Sequence, residues 1–307
     1  MGLDHADADA DRNQPLATTM TSRLLFAASA LPSRAGRTVI ALLCSSRRVR
    51  QITRFELTRD RLKRRFGKGL NRVLEFAKHE ALRKLHRYMF RNRPLVGQDE
   101  TGAHSDAARI AFDPDQLRQD LVELLRMELP SVLSGATQET LDALGYRDPW
   151  KLPAQDALDL IASRENLISG LPDELFGDVQ SAISDGLKAG ESLDQISNRI
   201  LTLFDEFTST RADLIAQTET SAAYGFASHA AAVQAGVLYK QWLHAGFPKI
   251  PREDHLEIDG LIMPIDEPYP VGEPPLMYPH DPDGSAEDVI NCGCISIPAT
   301  EEDYQKQ

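Results

Sequence analysis

The stretch ASHAAAVQAGVLYKQWLH, residues 227–244, contains the point at which the chain changes from helical to strand-like patterning. Its first half is rich in alanine, which has the highest helix propensity, and Gly236 is the residue type that commonly ends a helix. After Gly236, side chains alternate around Tyr239 and Trp242 as they do along a strand. The sequence therefore predicts an α+β protein with mainly helical N-terminal and middle regions and a small C-terminal domain that contains a β-hairpin.

Helical patterns dominate the chain before this point. Apolar residues recur every three or four positions between Leu62 and Met89, with arginine and lysine on most of the remaining surface. Asp113 followed by Pro114 is typical of a helix start, because aspartate caps free amide groups and proline at the first helical position loses no hydrogen bond. We expect that helix to end near Pro130. Further helices are expected at residues 138–144, 154–167, 172–190, 192–207 and 211–235, and a linker at residues 93–112.

The downstream residues predict short strands separated by turns. A first strand is expected at Val237–Leu243, and Asp259-Gly260 between alternating flanks predicts a hairpin over His255–Ile265. A last strand is expected at Val289–Ile297. Ten of the 18 prolines lie between positions 248 and 298, so the long loop before this strand is expected to be ordered by chain stiffness and packing.

These patterns divide the 307 residues into four expected regions. Residues 1–33 mix small, acidic and hydroxyl side chains without a sustained period, which indicates a flexible tail. Residues 34–110 are expected to form a basic helical arm and linker, and residues 111–210 a helical domain. Residues 211–307 are expected to form a domain with one long helix and a small β segment.

The composition is that of a soluble, folded protein. Hydrophobic residues make up 42% of the chain, which excludes a disordered or fibrous class, and the longest apolar runs are far shorter than the roughly 18 to 20 residues that a bilayer requires. Three cysteines exclude a disulfide framework and fit a reducing compartment. The acidic start at Asp4 and Asp7 lacks the basic region of a secretory signal, so synthesis in the cytoplasm is expected.

Charge is distributed very unevenly along the chain. The net charge of −12 combines +11 over residues 1–110 with −23 over residues 111–307, and Arg34 to Arg93 holds 19 basic and 4 acidic residues. Such a density favours a polyanion or an acidic protein surface as partner, although charge runs on helices are also often only solvated faces. No helix-turn-helix or zinc-finger pattern accompanies it, so any DNA binding is expected to be non-specific. The candidate contact residues are Arg47, Arg48, Arg50, Arg54, Arg61, Lys63, Arg64, Arg65, Lys68 and Arg72.

A series of landmarks in the last third of the chain occurs in the order typical of one protein family. The landmarks are Arg211-Ala212, Ile215 to Thr220, Gly236, Lys240, Trp242, Arg252, His255, Asp259-Gly260, Pro279 to Pro282, Glu287 to Cys294 and Pro298. In these residues the chain closely resembles the phage Mu F-like head morphogenesis family, whose members are minor capsid proteins of tailed phages. Gln217 and Gly293 differ from the family pattern, which usually has arginine at both positions.

The resemblance implies a structural minor capsid protein of a tailed phage or prophage, and it does not imply an enzyme. A protein of this kind is expected in the virion, in the head interior at the portal vertex, and in the host cytoplasm during assembly. Its expected partners are the portal protein, the capsid interior and non-specifically bound genomic double-stranded DNA, with no membrane partner. The basic arm is then expected to contact packaged DNA or the portal.

Cys292, Cys294 and His255, with His244 or His280 nearby, have the residue types of a zinc site, because thiolate and imidazole suit that ion. One intervening residue on a strand, however, separates two thiols by about 7 Å, unless a bulge at Gly293 brings them together. The alternative is a pair of small buried thiols that pack under the hairpin. We expect no resident cofactor, with zinc as the open alternative.

The remaining landmark side chains are interpreted as a buried polar network that pins the long helix to the β segment. Glu219, Arg252 and His255 lack the nucleophile or second carboxylate pair of a catalytic cluster, so no catalytic residue is assigned. The network residues are Thr218, Glu219, Arg252, His255, Asp259, Gly260, Asp281, Glu287 and Asn291.

Two other functions stay open at this point. One is a metal-dependent hydrolase or toxin-like enzyme that uses His255, Cys292 and Cys294. The other is a non-specific DNA-binding or scaffolding protein without a portal role.

Overall fold

A computed structural model describes residues 47–92, 101–147, 152–168, 170–244 and 252–307. The expected flexible tail, residues 1–33, lies outside these ranges. The helices are α1 (Arg47–Asn92), α2 (Thr101–Ala111), α3 (Pro114–Leu144), α4 (Ala154–Ile168), α5 (Leu171–Lys188), α6 (Leu193–Phe207), α7 (Asp213–Gln234), α8 (Glu253–Glu257), α9 (Ala286–Val289) and α10 (Glu301–Gln305). A short π-helical segment, Thr208–Ala212, joins α6 to α7.

The strands form a small antiparallel sheet near the end of the chain. They are β1 (Tyr239–His244), β2 (Ile262–Pro264) and β3 (Cys294–Ala299), and their order in the sheet is β2-β1-β3. The central strand, β1, pairs Tyr239 with Ala299 and His244 with Cys294. The α+β prediction is therefore confirmed.

The chain divides into two compact units. The sheet unit comprises the described residues up to Arg61, then Leu133–Leu152 and Ser221–Gln307. The helical unit comprises Leu62–Val132 and Pro153–Thr220. The division into four regions at residues 33, 110 and 210 stays a prediction. No helix among the described residues is both long and apolar enough to cross a membrane.

Helix starts in the helical unit follow the predicted capping chemistry. The Asp113 carboxylate accepts hydrogen bonds from the backbone N–H groups of Asp115 and Gln116 at the start of α3. Ser192 and Gln195 form the reciprocal capping box that begins α6. These starts could be read from the sequence because each depends on residues only two or three positions apart.

Two helix predictions in the helical unit are wrong. The expected linker at residues 93–112 contains α2, which packs against α5 and in which Ala107, Ala108 and Ala111 are buried. The helix expected to end near Pro130 continues to Leu144. Pro130 faces solvent, while its neighbours Leu129 and Val132 are buried, so packing holds a helix that local propensity would end.

Two β predictions in the sheet unit are also wrong in part. His255 lies in the short helix α8, and β2 pairs with β1 instead of forming a hairpin with the residues around His255. Asp259-Gly260 does form a turn, in which Gly260 has a φ of 95° and donates its N–H to the Trp242 carbonyl. The last strand begins at Cys294, because Val289 ends helix α9.

A close backbone approach joins α7 to the loop before the Cys292 segment. A Cβ atom added at Gly225 would lie 2.8 Å from the Pro279 carbonyl oxygen. On the same stretch of α7, the Phe226 and His229 rings contact the Tyr278 ring. Glycine at position 225 therefore allows the helix and the loop to pack at this distance.

Candidate functional site

Two cysteines and two histidines converge in the sheet unit. The Nδ1 atom of His255 lies 3.5 Å from the Cys292 Sγ and 3.6 Å from the Cys294 Sγ. The Nδ1 atom of His244 lies 3.7 Å from the Cys294 Sγ. All four side chains are buried, and we call these four residues the Cys-His cluster.

A turn before β3 lets both cysteines face the same point. Asn291 has a φ of 57° and turns the chain immediately before Cys292, so only Cys294 lies on the strand. The Cys294 backbone N–H donates to the Cys292 Sγ at 3.4 Å. The expected wide separation of the thiols is therefore wrong, and the ligand atoms of Cys292, Cys294 and His255 all lie within 4.8 Å of one another.

Different elements position the two histidines of the cluster. His244 ends β1, where the sheet register places it opposite Cys294, and its backbone N–H donates to the Asp259 Oδ1 at 2.9 Å. His255 extends from α8, and its ring meets the Trp242 ring edge-on with centroids 5.3 Å apart. The Asp259-Gly260 landmark thus supports the cluster through the backbone of β1.

The surroundings in the cluster favour the deprotonated form of one cysteine, Cys292. A hydrogen bond from the Cys294 thiol holds the pKa of Cys292 well below its usual range, with smaller contributions from His280 and His255. The same hydrogen bond and burial raise the pKa of Cys294. Burial lowers the pKa of His244, which keeps this imidazole neutral. A thiolate and neutral imidazoles are the forms in which these residues bind transition metals.

Further polar groups border the cluster. His280 is buried at a φ of 65°, and neither of its ring nitrogens has a hydrogen-bond partner among the described residues. Carboxylate oxygens of Asp254 and Asp288 and a ring nitrogen of His255 lie within 4.8 Å of one another. Asp254 is exposed and Asp288 is half-buried, so these carboxylates are more accessible to solvent than the buried thiols.

The predicted partners of Glu219 are wrong. Its carboxylate forms a two-pronged ion pair in the helical unit with Arg164, whose Nε and Nη2 donate at 2.7 and 3.0 Å. Only 3% of the Arg164 side chain and 2% of the Glu219 side chain is exposed. Arg164 was missed because nothing in the local pattern of α4 distinguishes it from a surface arginine. Thr218, beside Glu219, is also buried.

The other network residues have separate partners in the sheet unit. Arg252 donates through Nη2 to the Ile290 carbonyl at 2.8 Å, which ties the start of α8 to the Cys292 segment. Asp281 accepts from the Met277 and Asp283 N–H groups, and burial raises its pKa. Glu287 is exposed on α9. The contacts of Glu219, Arg252 and Asp281 therefore involve three different sets of partners.

Lys240 is a buried cation that the family landmarks include but sequence reasoning left without a role. Its Nζ donates to the Met277 carbonyl at 2.7 Å and lies 5.1 Å from the Tyr269 ring centroid. Burial lowers its pKa to about 8, while the Asp281 charge acts in the opposite direction. Lys240 and Asp281 thus hold the same stretch of loop, from Met277 onward, next to β1.

Within the helical unit, α1 has one buried and one exposed face. Phe66, Leu70, Leu74 and Leu85 are buried, as their spacing predicted. The opposite side carries exposed residues at three- and four-residue intervals, which we call the basic face. Its members are Arg65, Lys68, Arg72, Phe76, His79, Arg83, Arg87 and Phe90.

The predicted contact residues differ in their surroundings. Arg65 pairs with Glu128, and Lys63 is half-buried, donating to the Gln217 Oε1 at 3.3 Å. Lys68 and Arg72 are exposed and form no ion pair among the described residues. Arg54, Arg61 and Arg64 are also exposed, whereas the side chains of Arg47, Arg48 and Arg50 lie outside the described residues.

Comparisons with known proteins support the resemblance seen in the landmarks. Residues 177–297 match the family described as Phage Mu protein F like protein. Uncharacterized protein YqbB of Bacillus subtilis (strain 168) is 27% identical over 197 residues, which is 62% of this chain and 64% of that protein. The chain thus spans less than two thirds of this relative. No solved structure matches the chain.

The matched range covers α7, strands β1 and β2, strand β3 as far as Ile297, and every residue of the Cys-His cluster. It also covers the buried Glu219, and it begins within α5. The resemblance predicted from the landmarks is confirmed: residues 177–297, in the C-terminal part of this chain, match the family described as Phage Mu protein F like protein.

Proposed function

We propose that this protein is a structural minor head protein of a tailed phage or prophage and acts in head morphogenesis without catalysing a reaction. The observation that carries the proposal is the family match over residues 177–297. We further propose that it works in the virion, in the head interior near the portal.

The buried charged groups in and around the matched range support a structural role. Arg164 and Glu219 neutralise each other in the helical unit, and Lys240 donates to a backbone carbonyl in the sheet unit. Each of these contacts orders the chain, and each cation already has a partner.

The basic face supports contact with a polyanion. Lys68, Arg72 and Arg87 are exposed on one side of a rigid helix, at intervals that keep them on the same face. Phosphates attract such a row of cations without regard to base sequence. We propose packaged double-stranded DNA as the partner of this face, because a sequence-independent contact is what a head-interior protein requires.

A gene-replacement experiment tests the proposal in the phage that carries the gene. Loss of the gene should leave host lysis intact and reduce infectious particles, and the wild-type gene supplied in trans should restore them. A variant with the basic-face residues Lys68, Arg72, Arg83 and Arg87 changed to Gln should restore fewer particles. The matched control changes four exposed basic residues elsewhere, Arg109, Arg147, Lys188 and Lys306, to Gln.

The outcomes separate the two parts of the proposal. If loss of the gene leaves particle yield and infectivity unchanged, the head function is wrong. If both four-residue variants restore particles equally well, the head function stands and the role of the basic face is wrong.

A further inference from the structure

We propose that the Cys-His cluster is a structural zinc site with Cys292, Cys294, His255 and His244 as its four ligands. Two thiolates and two imidazoles are a frequent ligand set for structural zinc, and four-coordinate zinc is tetrahedral. The inference goes beyond the head function and does not depend on it.

The distances among the ligand atoms of His255, Cys292 and Cys294 fit one shared ion. In a tetrahedral site with Zn–S of about 2.3 Å and Zn–N of about 2.0 Å, a sulfur and a nitrogen ligand lie about 3.5 Å apart. The observed separations are 3.5 and 3.6 Å from His255 and 3.7 Å from His244. The ligand atoms of His255, Cys292 and Cys294 all lie within 4.8 Å of one another. The His244 Nδ1 lies close to the Cys294 Sγ but outside this group, so the His244 ring has to move closer to the other two ligands when the ion binds.

A network of neutral hydrogen bonds explains the same atoms less well. The His255 Nδ1 faces both sulfurs, yet a neutral imidazole nitrogen can accept only one S–H proton at a time. A single metal ion can be coordinated by both sulfurs and by the nitrogen at the same time. The Cys294 N–H bond to the Cys292 Sγ then stabilises negative charge on a ligand sulfur, as outer-shell donors do around metal sites.

The location gives the ion a structural purpose. The sheet has three short strands, and its buried cluster is small and includes both cysteines, together with Trp242, Tyr269, Val271 and Leu276. The proposed ion would join the end of β1, helix α8 and the segment before β3. Small domains with limited cores commonly depend on such a cross-link.

His244 is assigned as the fourth ligand on geometry. The register of β1 and β3 places it directly opposite Cys294, and its Nδ1 approaches that sulfur. His280 is the competing residue, because it is buried near Cys292 with both ring nitrogens lacking a hydrogen-bond partner among the described residues. The Asp254 and Asp288 carboxylates are less suited to the ion, because Asp254 is exposed and zinc prefers the buried thiolates.

The test uses the full chain, expressed in zinc-supplemented medium and dialysed against metal-free buffer. Elemental analysis should find one zinc per chain in the wild type. Cys292→Ser, Cys294→Ser, His255→Asn and His244→Asn should each lose most of it. Cys44→Ser removes the third cysteine, and His79→Asn removes an exposed histidine, so both control variants should keep the metal.

A second measurement on the wild type does not depend on whether the variants fold. Replacement of zinc by Co²⁺ should produce thiolate-to-cobalt charge-transfer absorption and the visible bands of a tetrahedral ion. A strong chelator should abolish them and lower the melting temperature.

Three results would overturn the inference. A wild-type protein without metal whose two thiols react freely with a thiol reagent would exclude the site. A disulfide between Cys292 and Cys294 in freshly purified protein would also exclude it. Loss of zinc in His280→Asn, but not in His244→Asn, would show that the fourth ligand is wrongly assigned.

Discussion

The Nδ1 atom of His255 lies 3.5 Å from the Sγ of Cys292, a residue 37 positions further along the chain. Helix α8 supplies the imidazole, and the turn at Asn291 supplies the thiol. Arg252, at the start of α8, donates to the Ile290 carbonyl in the same turn. Two independent contacts therefore join α8 to the cysteine segment, and the landmarks Arg252, His255 and Cys292 belong to one local structure.

Glu219→Gln should destabilise the protein by about 3 to 5 kcal/mol, because it leaves the buried Arg164 charge without its partner. Chemical denaturation of the full chain measures the change in the free energy of unfolding. The control is Glu174→Gln, which breaks a half-exposed pair with Arg211 and should cost less than about 1 kcal/mol. Equal decreases in the free energy of unfolding of the two variants would show that the buried pair contributes no more to stability than the half-exposed pair.

His229 should make the protein less stable in acid. Burial, with a smaller contribution from the Lys240 charge, lowers its pKa from 6.5 to about 4. The folded state thus resists protonation of His229, and stability that is present above pH 6.5 is lost as the pH falls from 6.5 through 4. The loss from this residue should be about 3 kcal/mol.

Denaturation of His229→Gln between pH 7 and pH 4 tests that expectation. The variant should lose less stability over this range than the wild type, whereas His79→Gln, at an exposed position, should follow the wild type. If His229→Gln becomes as unstable in acid as the wild type, other groups cause the dependence.

Gly225→Ala should destabilise the sheet unit by about 1 to 3 kcal/mol, because its Cβ would lie 2.8 Å from the Pro279 carbonyl oxygen. Gly177→Ala is the matched control at an exposed position of helix α5, where a Cβ meets no atom within 4 Å. That control should stabilise the protein by about 0.5 to 1 kcal/mol through helix propensity. Thermal unfolding should give shifts of opposite sign, and a stabilised Gly225→Ala would contradict the close packing of α7 on the loop.

The basic face should bind duplex DNA without sequence preference, and the affinity should fall steeply with salt. Each phosphate contact contributes about 0.9 to the slope of log affinity against log salt concentration. Changing Lys68, Arg72 and Arg87 to Gln should flatten the slope, whereas changing Arg109, Arg147 and Lys188 should not. Binding isotherms at several salt concentrations measure both slopes. Identical slopes in the two variants would mean that DNA does not contact this face.

Local signals in the sequence predicted local structure well. The Asp113 cap, the Ser192 capping box and the apolar line from Phe66 to Leu85 each depend on residues within one or two helical turns. The helical continuation through Pro130 could not be predicted, because it depends on burial of Leu129 and Val132 against other elements.

The candidate site was predictable in residue type but not in geometry. The sequence pattern identified His255, Cys292 and Cys294 as candidate metal ligands, with His244 and His280 as further histidines nearby. It placed the cysteines too far apart, because the left-handed turn at Asn291 has no strong local signal. Arg164 was missed entirely, since its partner Glu219 lies 55 positions away.

The copy number of this protein in purified, DNA-filled heads is the most direct test of the central claim. Quantitative mass spectrometry should find the protein inside heads at a number comparable with the portal subunits and far below the major capsid protein. Its complete absence from mature heads, or a copy number close to that of the major capsid protein, would contradict a minor head protein near the portal.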